Sequence, residues 1–335
     1  MAQNDHSGVQ PIGLDIGTSR IVTAFTAEEG YSYLSELNSF VTLPHSKLTE
    51  SVLVRENVPH TVRGSEILVH GNESARFADL LQTETRRPMS RGFLNPAEPE
   101  ALNIIREIVR KIAGPAQGEN QAACFSVPAA PLEAGENLTY HEATLRQLLG
   151  ELGYRVRSIN EGLAVVFAEL ANSNYTGIGI SFGGGLCNVC LAYLAVPVVS
   201  FSLAKAGDFI DSSVAAVTGD LVNRVRITKE DALHFNGIFT DKTLQALVVY
   251  YEDMIQTLVA ALKQAFSDVR SLPRLGRPVP IVLSGGSVLP AGFCDRFAQA
   301  LRASEFPLPV AGIRLAENPL YATAKGALVA ALSEM

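Results

Sequence analysis

Apolar positions along the chain fall into short runs that are separated by segments with helical periodicity. A run at Ile12–Asp15 is followed by a glycine-containing turn and a second run at Ile21–Phe25. Residues Pro99 to Ile112 instead place apolar side chains at helical spacing, with the proline in the first turn, where a missing N–H costs no hydrogen bond. Alternation of short strands with helices predicts an α/β fold with sheets that are covered on both faces.

The same criteria predict the other elements of the chain. Further strands are expected at Ala122–Val127, Arg155–Ile159, Gly177–Phe182 and Pro280–Leu283. Further helices are expected at His141–Leu152, Gly162–Leu170, Phe209–Thr218, Thr228–His234, Leu244–Val269, Gly292–Ala303 and Pro319–Leu332. Between Thr42 and His70 the pattern indicates short and irregular β-structure.

One uncharged window, from Leu186 to Ala204, is long enough to be considered as a membrane span. It contains a polar asparagine and a central Pro197, and it is β-branched and aromatic in character. These features predict two buried strands, Cys187–Tyr193 and Val198–Leu203, that are joined by a turn at Ala195–Pro197.

Composition and charge exclude several classes of function. The 335 residues exceed what one hydrophobic core usually fills, so two domains are expected. A net charge of −7, without any basic block, argues against a nucleic-acid partner. The polar opening MAQNDHSGVQ has no apolar segment of a signal peptide and no amphipathic anchor, so we expect a cytoplasmic protein without a direct membrane anchor.

The two halves of the chain show signs of a duplication. When the chain is slid along itself so that IGLDIGTSRIVTA lies over IGISFGGGLCNVC, each segment has the pattern strand, glycine turn, strand. The identical pairs are Ile12 with Ile178, Gly13 with Gly179 and Gly17 with Gly183, and Asp15 lies over Ser181. This alignment predicts two similar domains that each present one glycine hairpin.

Two glycine hairpins on facing domains are suited to bind a polyphosphate from both sides. Backbone N–H groups of Gly17 and of Gly183–Gly185 can converge on an anion because no Cβ blocks its approach, and Thr18 and Ser19 add hydroxyl donors. Asp15, at the end of its strand, can accept hydrogen bonds from the water shell of Mg²⁺. The alternative is that these glycines only form tight hairpins.

The common nucleotide signatures are missing. The chain contains no GxxxxGK[ST], and the triple-glycine turn does not fit GxGxxG, so neither a P-loop enzyme nor a dinucleotide-binding fold is expected. A third glycine element follows the strand at Pro280–Leu283, where the bare backbone of Gly285 and Gly286 would let an adenine ring or ribose lie against the chain. The alternative there is a plain strand-to-helix connection.

Taken in order, six segments resemble a known superfamily. The segments are GLDIGTSRIVTAF, INEGLAVVFAEL, ISFGGGLCNVCLAYL, AKAGDFID, IVLSGGSVLP and ATAKGALVAAL. They are similar to the two phosphate loops, two connecting helices and adenosine motif of the actin, heat-shock-chaperone and sugar-kinase ATPases, and most of all to bacterial actins of the MreB and MamK type. The resemblance implies two duplicated RNase H-like α/β domains with a nucleotide cleft between them. Residues 1–156 with about 316–335 would form domain I, and 157–315 domain II.

The resemblance also implies roles for individual residues around ATP or ADP with Mg²⁺. Asp15 would hold the metal through water, and Glu161 would orient the attacking water. The phosphates would contact Gly17, Thr18 and Ser19 in the first loop and Gly183, Gly184 and Gly185 in the second, with Gly207 and Asp208 close to the nucleotide. Lys229 and Glu230 would flank the ribose or adenine. The adenosine would lie against Gly285, Gly286 and Ser287. Two alternatives stay open: Glu161 as a surface carboxylate at a helix N-terminus, and Lys229–Glu230 as an ordinary helix start.

Departures from the family pattern lower the expected activity. Where the family usually has Asp-x-Gly-Gly-Gly-Thr, this chain has Ser181 and Leu186 at the two ends of the motif, and Gly162 replaces a proline. The resemblance thus implies an actin-like protein that binds ATP, assembles into filaments of itself and hydrolyses ATP slowly or not at all. A non-polymerising pseudo-ATPase regulator and a small-molecule kinase of the same superfamily are the alternatives. A chain that stops after the closing helix is not expected to carry a chaperone module.

Overall fold

Two five-stranded sheets form the centre of the protein, of which a computed structural model describes residues 9–118, 120–132, 138–267 and 277–333. The first sheet has the order β10-β9-β1-β2-β3, with β1 Ile12–Ile16, β2 Arg20–Thr26, β3 Tyr31–Leu37, β9 Ala122–Val127 and β10 Arg155–Asn160. The second has the order β13-β12-β11-β14-β15, with β11 Gly177–Phe182, β12 Cys187–Tyr193, β13 Val196–Leu203, β14 Val279–Ser284 and β15 Val310–Leu315.

The two sheets share one topology. In each of them three consecutive strands form an antiparallel meander, and two later strands add in parallel to the free side of the first strand. The first strands, β1 and β11, are the pair that the sequence alignment superimposes. The predicted α/β fold with a duplication is therefore confirmed, whereas the exact domain limits stay a prediction.

Helices cover the sheets and connect their strands. Their bounds are α1 Lys47–Arg55, α2 Asn72–Leu80, α3 Ala101–Ile112, α4 Leu138–Glu151, α5 Glu161–Glu169, α6 Gly207–Thr218, α7 Val222–Ala232, α8 Lys242–Ser267, α9 Phe293–Ala303 and α10 Ala322–Leu332. The remaining strands form a small antiparallel sheet in the order β4-β6-β5 (Phe40–Pro44, Glu66–His70 and His60–Arg63) and a short hairpin of β7 Met89–Ser90 and β8 Phe93–Leu94, and short 3-10 helices lie at Ala171–Ser173 and Gly286–Val288.

Several predicted elements need correction. The region Thr42–His70 contains short strands, as predicted, but it also contains the helix α1, which was not predicted and whose first turn is capped by the Ser46 hydroxyl accepting from the Thr49 N–H (3.0 Å). The helix predicted at Thr228–His234 begins earlier and spans α7. The end of the long predicted helix, Val269, lies outside the described residues.

Strand β15 was not predicted, because it lies at the sheet edge and alternates between half-buried and exposed positions instead of forming an apolar run.

The uncharged window from Leu186 to Ala204 does form two paired strands, as predicted. The connection is two residues shorter than the predicted strands imply, because β13 begins at Val196 instead of Val198 and only Leu194 and Ala195 connect the strands. Both of these residues have positive φ, 50° and 67°, as a two-residue hairpin turn of the primed type requires. Within the described part of the chain, no helix has the length and apolar character to cross a bilayer.

Helices α5 and α10 cross each other between the two sheets at very close range. A side chain at Gly326 of α10 would collide with the backbone of Ala164 in α5. Each helix also lies directly on the first strand of one sheet, α10 on Gly13 and α5 on Gly179. Gly13 and Gly179, which the duplication aligns with each other, are therefore the positions at which the first sheet contacts α10 and the second sheet contacts α5.

This contact predicts opposite effects for two glycine-to-alanine substitutions in helices. Gly326→Ala should lower the free energy of unfolding by about 1–3 kcal/mol or more, because the added methyl group has no space. Gly150→Ala in α4 should raise it by about 0.5–1 kcal/mol, because no atom lies within 4 Å of the new Cβ and alanine favours the helix. Urea denaturation measures both, and equal effects would contradict the close crossing.

Candidate functional site

The first glycine loop, between β1 and β2, is a tight turn that is fixed from behind. The Gly17 N–H donates to the Arg20 carbonyl oxygen (3.0 Å). Asn38, fully buried after β3, donates from Nδ2 to the Gly17 carbonyl oxygen (2.9 Å), and its backbone N–H donates to the Ser19 carbonyl oxygen (3.0 Å). The loop is therefore held in place by a neighbouring strand end.

The second glycine loop, between β11 and β12, repeats this turn. The Gly183 N–H donates to the Leu186 carbonyl oxygen (3.0 Å), which is the equivalent of the bond from Gly17 to Arg20. The N-terminus of α6 is fastened to the loop, since the Gly207 N–H donates to the Gly183 oxygen (3.1 Å) and the Asp208 N–H to the Gly184 oxygen (2.8 Å).

The two loops face each other directly. A Cβ at Gly184 would collide with the Ser19 hydroxyl, and a Cβ at Gly185 would collide with the Thr18 hydroxyl. Only glycine therefore permits this approach of the second loop to the first. The two hairpins enclose the end of a cleft that continues between the two halves of the chain.

Two carboxylates lie at the bottom of this cleft. Asp15, at the end of β1, accepts a hydrogen bond from the Ser126 hydroxyl (2.6 Å). Burial raises the pKa of Asp15 to about 6, although the Ser126 hydrogen bond acts in the opposite direction. Glu161, the first residue of α5, has its pKa raised to about 8, chiefly by burial and then by the charge of Asp15. Two such buried carboxylates favour a proton or a cation between the loops.

Ser181 and Asn188 both donate to the same oxygen of Glu161. The Ser181 hydroxyl lies 3.2 Å and the Asn188 Nδ2 2.8 Å from Glu161 Oε2. Glu161 is thus not a free surface carboxylate, and Ser181, which stands where the family pattern has an aspartate, is in contact with it.

Ion pairs occupy other polar residues for which the sequence predicted a ligand contact. The Asp208 carboxylate pairs with Arg87, which comes from the other half of the chain. Lys229 pairs with Asp211 at 2.7 Å, and both side chains are buried. These residues line the cleft, but their charges are already compensated.

All residues predicted for the site line one cleft. They are Asp15, Gly17, Thr18, Ser19, Glu161, Gly183, Gly184, Gly185, Gly207, Asp208, Lys229, Glu230, Gly285, Gly286 and Ser287. At the end of the cleft near Gly285 the wall becomes apolar, with Leu289, Pro290, Pro319 and Leu320. A cleft with glycine loops at one end and an apolar slot at the other has the polarity of a nucleotide.

Two polar residues of the cleft were missed by the sequence analysis. Arg226 on α7 is 6% exposed, and no described residue accepts a hydrogen bond from its Nε. The hydroxyl of Tyr251 on α8 is likewise buried without a partner among the described residues. Arg226 lies one helical turn before Lys229 and Glu230, so the helical spacing could have predicted that Arg226 faces the cleft together with them. Tyr251 lies in an apolar helical pattern that gave none.

Segment 82–87, from the first half of the chain, contacts the N-terminus of helix α7 in the second half. The Glu84 carboxylate accepts hydrogen bonds from the first backbone N–H groups of α7, Val222 (2.7 Å) and Asn223 (3.3 Å). A carboxylate at a helix N-terminus is stabilised by unpaired N–H groups and the helix dipole. Together with the pair of Arg87 and Asp208, this cap joins the two halves across the cleft.

The raised pKa values predict how stability depends on pH in the absence of ligands. A carboxyl group with a raised pKa in the folded state stabilises it fully below the unfolded pKa, about 4, and this stabilisation is lost as the pH rises through the folded pKa. For Glu161 the loss extends to about pH 8. Glu161→Gln should therefore become increasingly more stable than the native chain between pH 5 and pH 9, as measured by urea denaturation. A difference that is constant over this range would contradict the buried carboxylate pair.

Comparison with known proteins agrees with this fold. A search of solved structures found a MamK double helical filament, with a TM-score of 0.68, 18% identity and coverage of 97% of this chain and 98% of that one. MreB5 of Spiroplasma citri bound to ADP is similar with a TM-score of 0.66 and 15% identity, covering 96% of each chain. The ethanolamine utilization protein EutJ from Carboxydothermus hydrogenoformans has a TM-score of 0.59 and 14% identity, with 97% and 91% coverage.

At these identities the solved structures establish an actin-like fold, as the sequence motifs predicted. None of the curated protein sequences matches the chain. The family model described as Volactin matches residues 11–331, almost the whole sequence. The chain belongs to the Volactin family.

Proposed function

We propose that this protein is an actin-like cytoskeletal protein that binds ATP or ADP with Mg²⁺, assembles into filaments of itself and hydrolyses ATP slowly. The observation that carries the proposal is the cleft in which two equivalent glycine loops face each other above the carboxylates Asp15 and Glu161. Its polarity supports a nucleotide, with polyphosphate at the loops and the base in the apolar slot.

The residues present fit the phosphates and the adenosine. Exposed backbone N–H groups at glycine loops form concave sites for anions. Arg226 offers a buried guanidinium whose Nε makes no hydrogen bond to any described residue and only a long ion pair with Glu230 (3.9 Å), and an anionic ligand would supply the missing acceptor. The Gly285 N–H donates to the Pro319 carbonyl oxygen (2.8 Å), and the glycine backbone with Pro290 and Pro319 gives this end of the cleft the apolar wall that a base requires.

The donor set at the bottom of the cleft fits Mg²⁺. Hard cations prefer carboxylate oxygens and retain several waters, and Asp15 and Glu161 supply two carboxylates in a buried position. When bound, Mg²⁺ neutralises the negative charge of the phosphates. Asp15 would hold its water shell in an orientation set by the Ser126 hydroxyl, and Glu161 would accept from the attacking water.

The residue at position 181 supports slow hydrolysis. A carboxylate there would be a charged acceptor for water near the metal, whereas Ser181 is neutral and its hydroxyl donates to Glu161. Phosphoryl transfer depends on positioning and electrostatics, so one lost charged acceptor is enough to slow it by orders of magnitude. The same observation would also fit the second candidate, a nucleotide-binding regulator that does not polymerise, because such a protein needs no rapid hydrolysis.

Similar proteins support binding and assembly. MamK was solved as a double helical filament, a non-polymerising MamK mutant was solved with AMPPNP bound, and MreB5 was solved with ADP. Head-to-tail contacts that do not close into a ring produce filaments, and this arrangement is the one we propose for the present chain.

Titration calorimetry and electron microscopy of the purified chain test the proposal together. We expect saturable binding of Mg-ATP and Mg-ADP, and filaments that pellet in the presence of Mg-ATP. Absence of binding for both nucleotides would overturn the proposed function. Binding without filaments at any protein concentration would leave the regulator as the correct candidate, and ATP consumption only with an added sugar or acid would favour the kinase.

Restoring the carboxylate should accelerate hydrolysis. Ser181→Asp is expected to raise phosphate release from Mg-ATP by about tenfold or more, because a charged acceptor returns to the water site. Ser181→Ala is the control, since it removes the hydroxyl without adding a charge and should not accelerate release. A native rate that already equals that of Ser181→Asp would show that Ser181 does not limit hydrolysis.

Removing the buried cation should weaken nucleotide binding. Arg226→Met keeps much of the side-chain volume but loses the guanidinium, and we expect a Kd for Mg-ADP that is about tenfold or more higher, the magnitude of one charged hydrogen bond. Arg302→Met, on the exposed surface of α9, serves as the control for loss of one positive charge. Calorimetry that gives equal Kd values for both variants would remove Arg226 from the binding site.

A further inference from the structure

A row of buried polar side chains crosses the second sheet beside the cleft. Ser202 in β13 lies opposite Asn188 in β12, Asn188 lies opposite Ser181 in β11, and Ser181 lies beside Ser284 in β14. All four are buried, with at most 4% exposure. Directly paired residues project from the same face of a sheet, so this row replaces apolar side chains that would normally pack there.

Within this row, the orientation of the Asn188 amide is fixed by its two partners. Its Oδ1 accepts from the Ala129 N–H (2.9 Å), so the amide nitrogen must point the other way. There Nδ2 donates to Glu161 Oε2 (2.8 Å). A flipped amide would place a donor against the Ala129 N–H and an acceptor against the carboxylate, so only one orientation satisfies both groups.

Glu161 consequently has one oxygen bound and one available. Oε2 accepts from Ser181 and Asn188, whereas no described residue donates to Oε1, and the side chain lines the cleft. We propose that Asn188 is a positioning residue, which holds Glu161 by Oε2 so that Oε1 faces the nucleotide cleft. Only the role of Oε1 rests on the proposed function, in which this oxygen accepts a hydrogen bond from the attacking water.

The anchor of Asn188 connects Glu161 to the other half of the chain. Ala129 follows β9, the strand whose Ser126 orients Asp15. The segment after β9 is fastened to β13, since the Ser202 N–H donates to the Ala130 oxygen (3.0 Å) and the Ser202 hydroxyl donates to the Ala129 oxygen (2.9 Å). One stretch of chain therefore contacts the residues that orient both carboxylates, Asp15 at the end of β1 and Glu161 at the start of α5.

The test is a double-mutant cycle on the nucleotide-free chain. Asn188→Asp keeps an acceptor for the Ala129 N–H but replaces the donor to Glu161 by a carboxylate oxygen. Glu161→Gln offers that oxygen a donor, so the double variant should recover most of the thermal stability that Asn188→Asp loses. We expect Glu161→Gln to raise the Tm by several degrees more in the Asn188→Asp background than in the native one at pH 9, above the pKa of about 8 that burial and the charge of Asp15 give Glu161 in the native chain.

The control is Asn160→Asp, which adds the same negative charge as Asn188→Asp at the residue directly before Glu161. Asn160 caps α5 by accepting from the Leu163 N–H (3.1 Å), and Asn160→Asp preserves this cap without touching the Glu161 carboxylate. Glu161→Gln should have the same effect in this background as in the native chain. Equal effects in all three backgrounds would overturn the proposed contact, whether or not the protein binds nucleotides.

A second measurement separates positioning from mere structural support. At saturating Mg-ATP, Asn188→Asp should release phosphate about tenfold more slowly than the native chain, with a Kd for Mg-ADP within about a factor of two. A normal rate in Asn188→Asp would refute the positioning role. A native chain that releases no phosphate would refute the proposed hydrolysis, and the cycle would still decide the contact of Asn188 with Glu161.

Discussion

The close crossing of α5 and α10 is the constraint on which the rest of the structure depends. Gly326 allows the backbones of the two helices to touch, and Gly13 and Gly179 let each helix lie directly on the first strand of one sheet. The crossing therefore fixes the distance between β1 and β11. Since the glycine loops follow these two strands, and Glu161 begins α5, it also determines how the loops and carboxylates meet.

Much of this arrangement could be predicted because its signals are local. Strand β1, the loop at Gly17 and the loop at Gly183 are contiguous motifs, and the pair of Gly13 and Gly179 appears when the chain is aligned with itself. Strand β15 was missed because an exposed edge strand has no apolar run. The contact of Asn188 with Glu161 and the burial of the Tyr251 hydroxyl were not predictable, since they depend on strand register and on packing between helices, which no spacing in the sequence reveals.

Buried charge explains how the cleft would respond to its ligand. The raised pKa values of Asp15 and Glu161 mean that burial opposes both ionised forms, and that the charge of Asp15 further opposes ionisation of Glu161. A divalent cation would replace protons at this site, so metal binding and deprotonation are linked. A third carboxylate at position 181 would increase the repulsion in the ligand-free state. Ser181 avoids this repulsion, and in the proposed mechanism it also gives the attacking water one charged acceptor fewer.

The position of the ligand is the most direct test of these conclusions. Cryo-electron microscopy of the chain incubated with Mg²⁺ and AMPPNP would show both the nucleotide and the assembly. We expect filaments in which the polyphosphate lies between Gly17–Ser19 and Gly183–Gly185, the metal density lies next to Asp15, and the adenine lies against Gly285 and Gly286. Single particles whose cleft is empty, or nucleotide bound elsewhere on the surface, would contradict the assignment of this cleft.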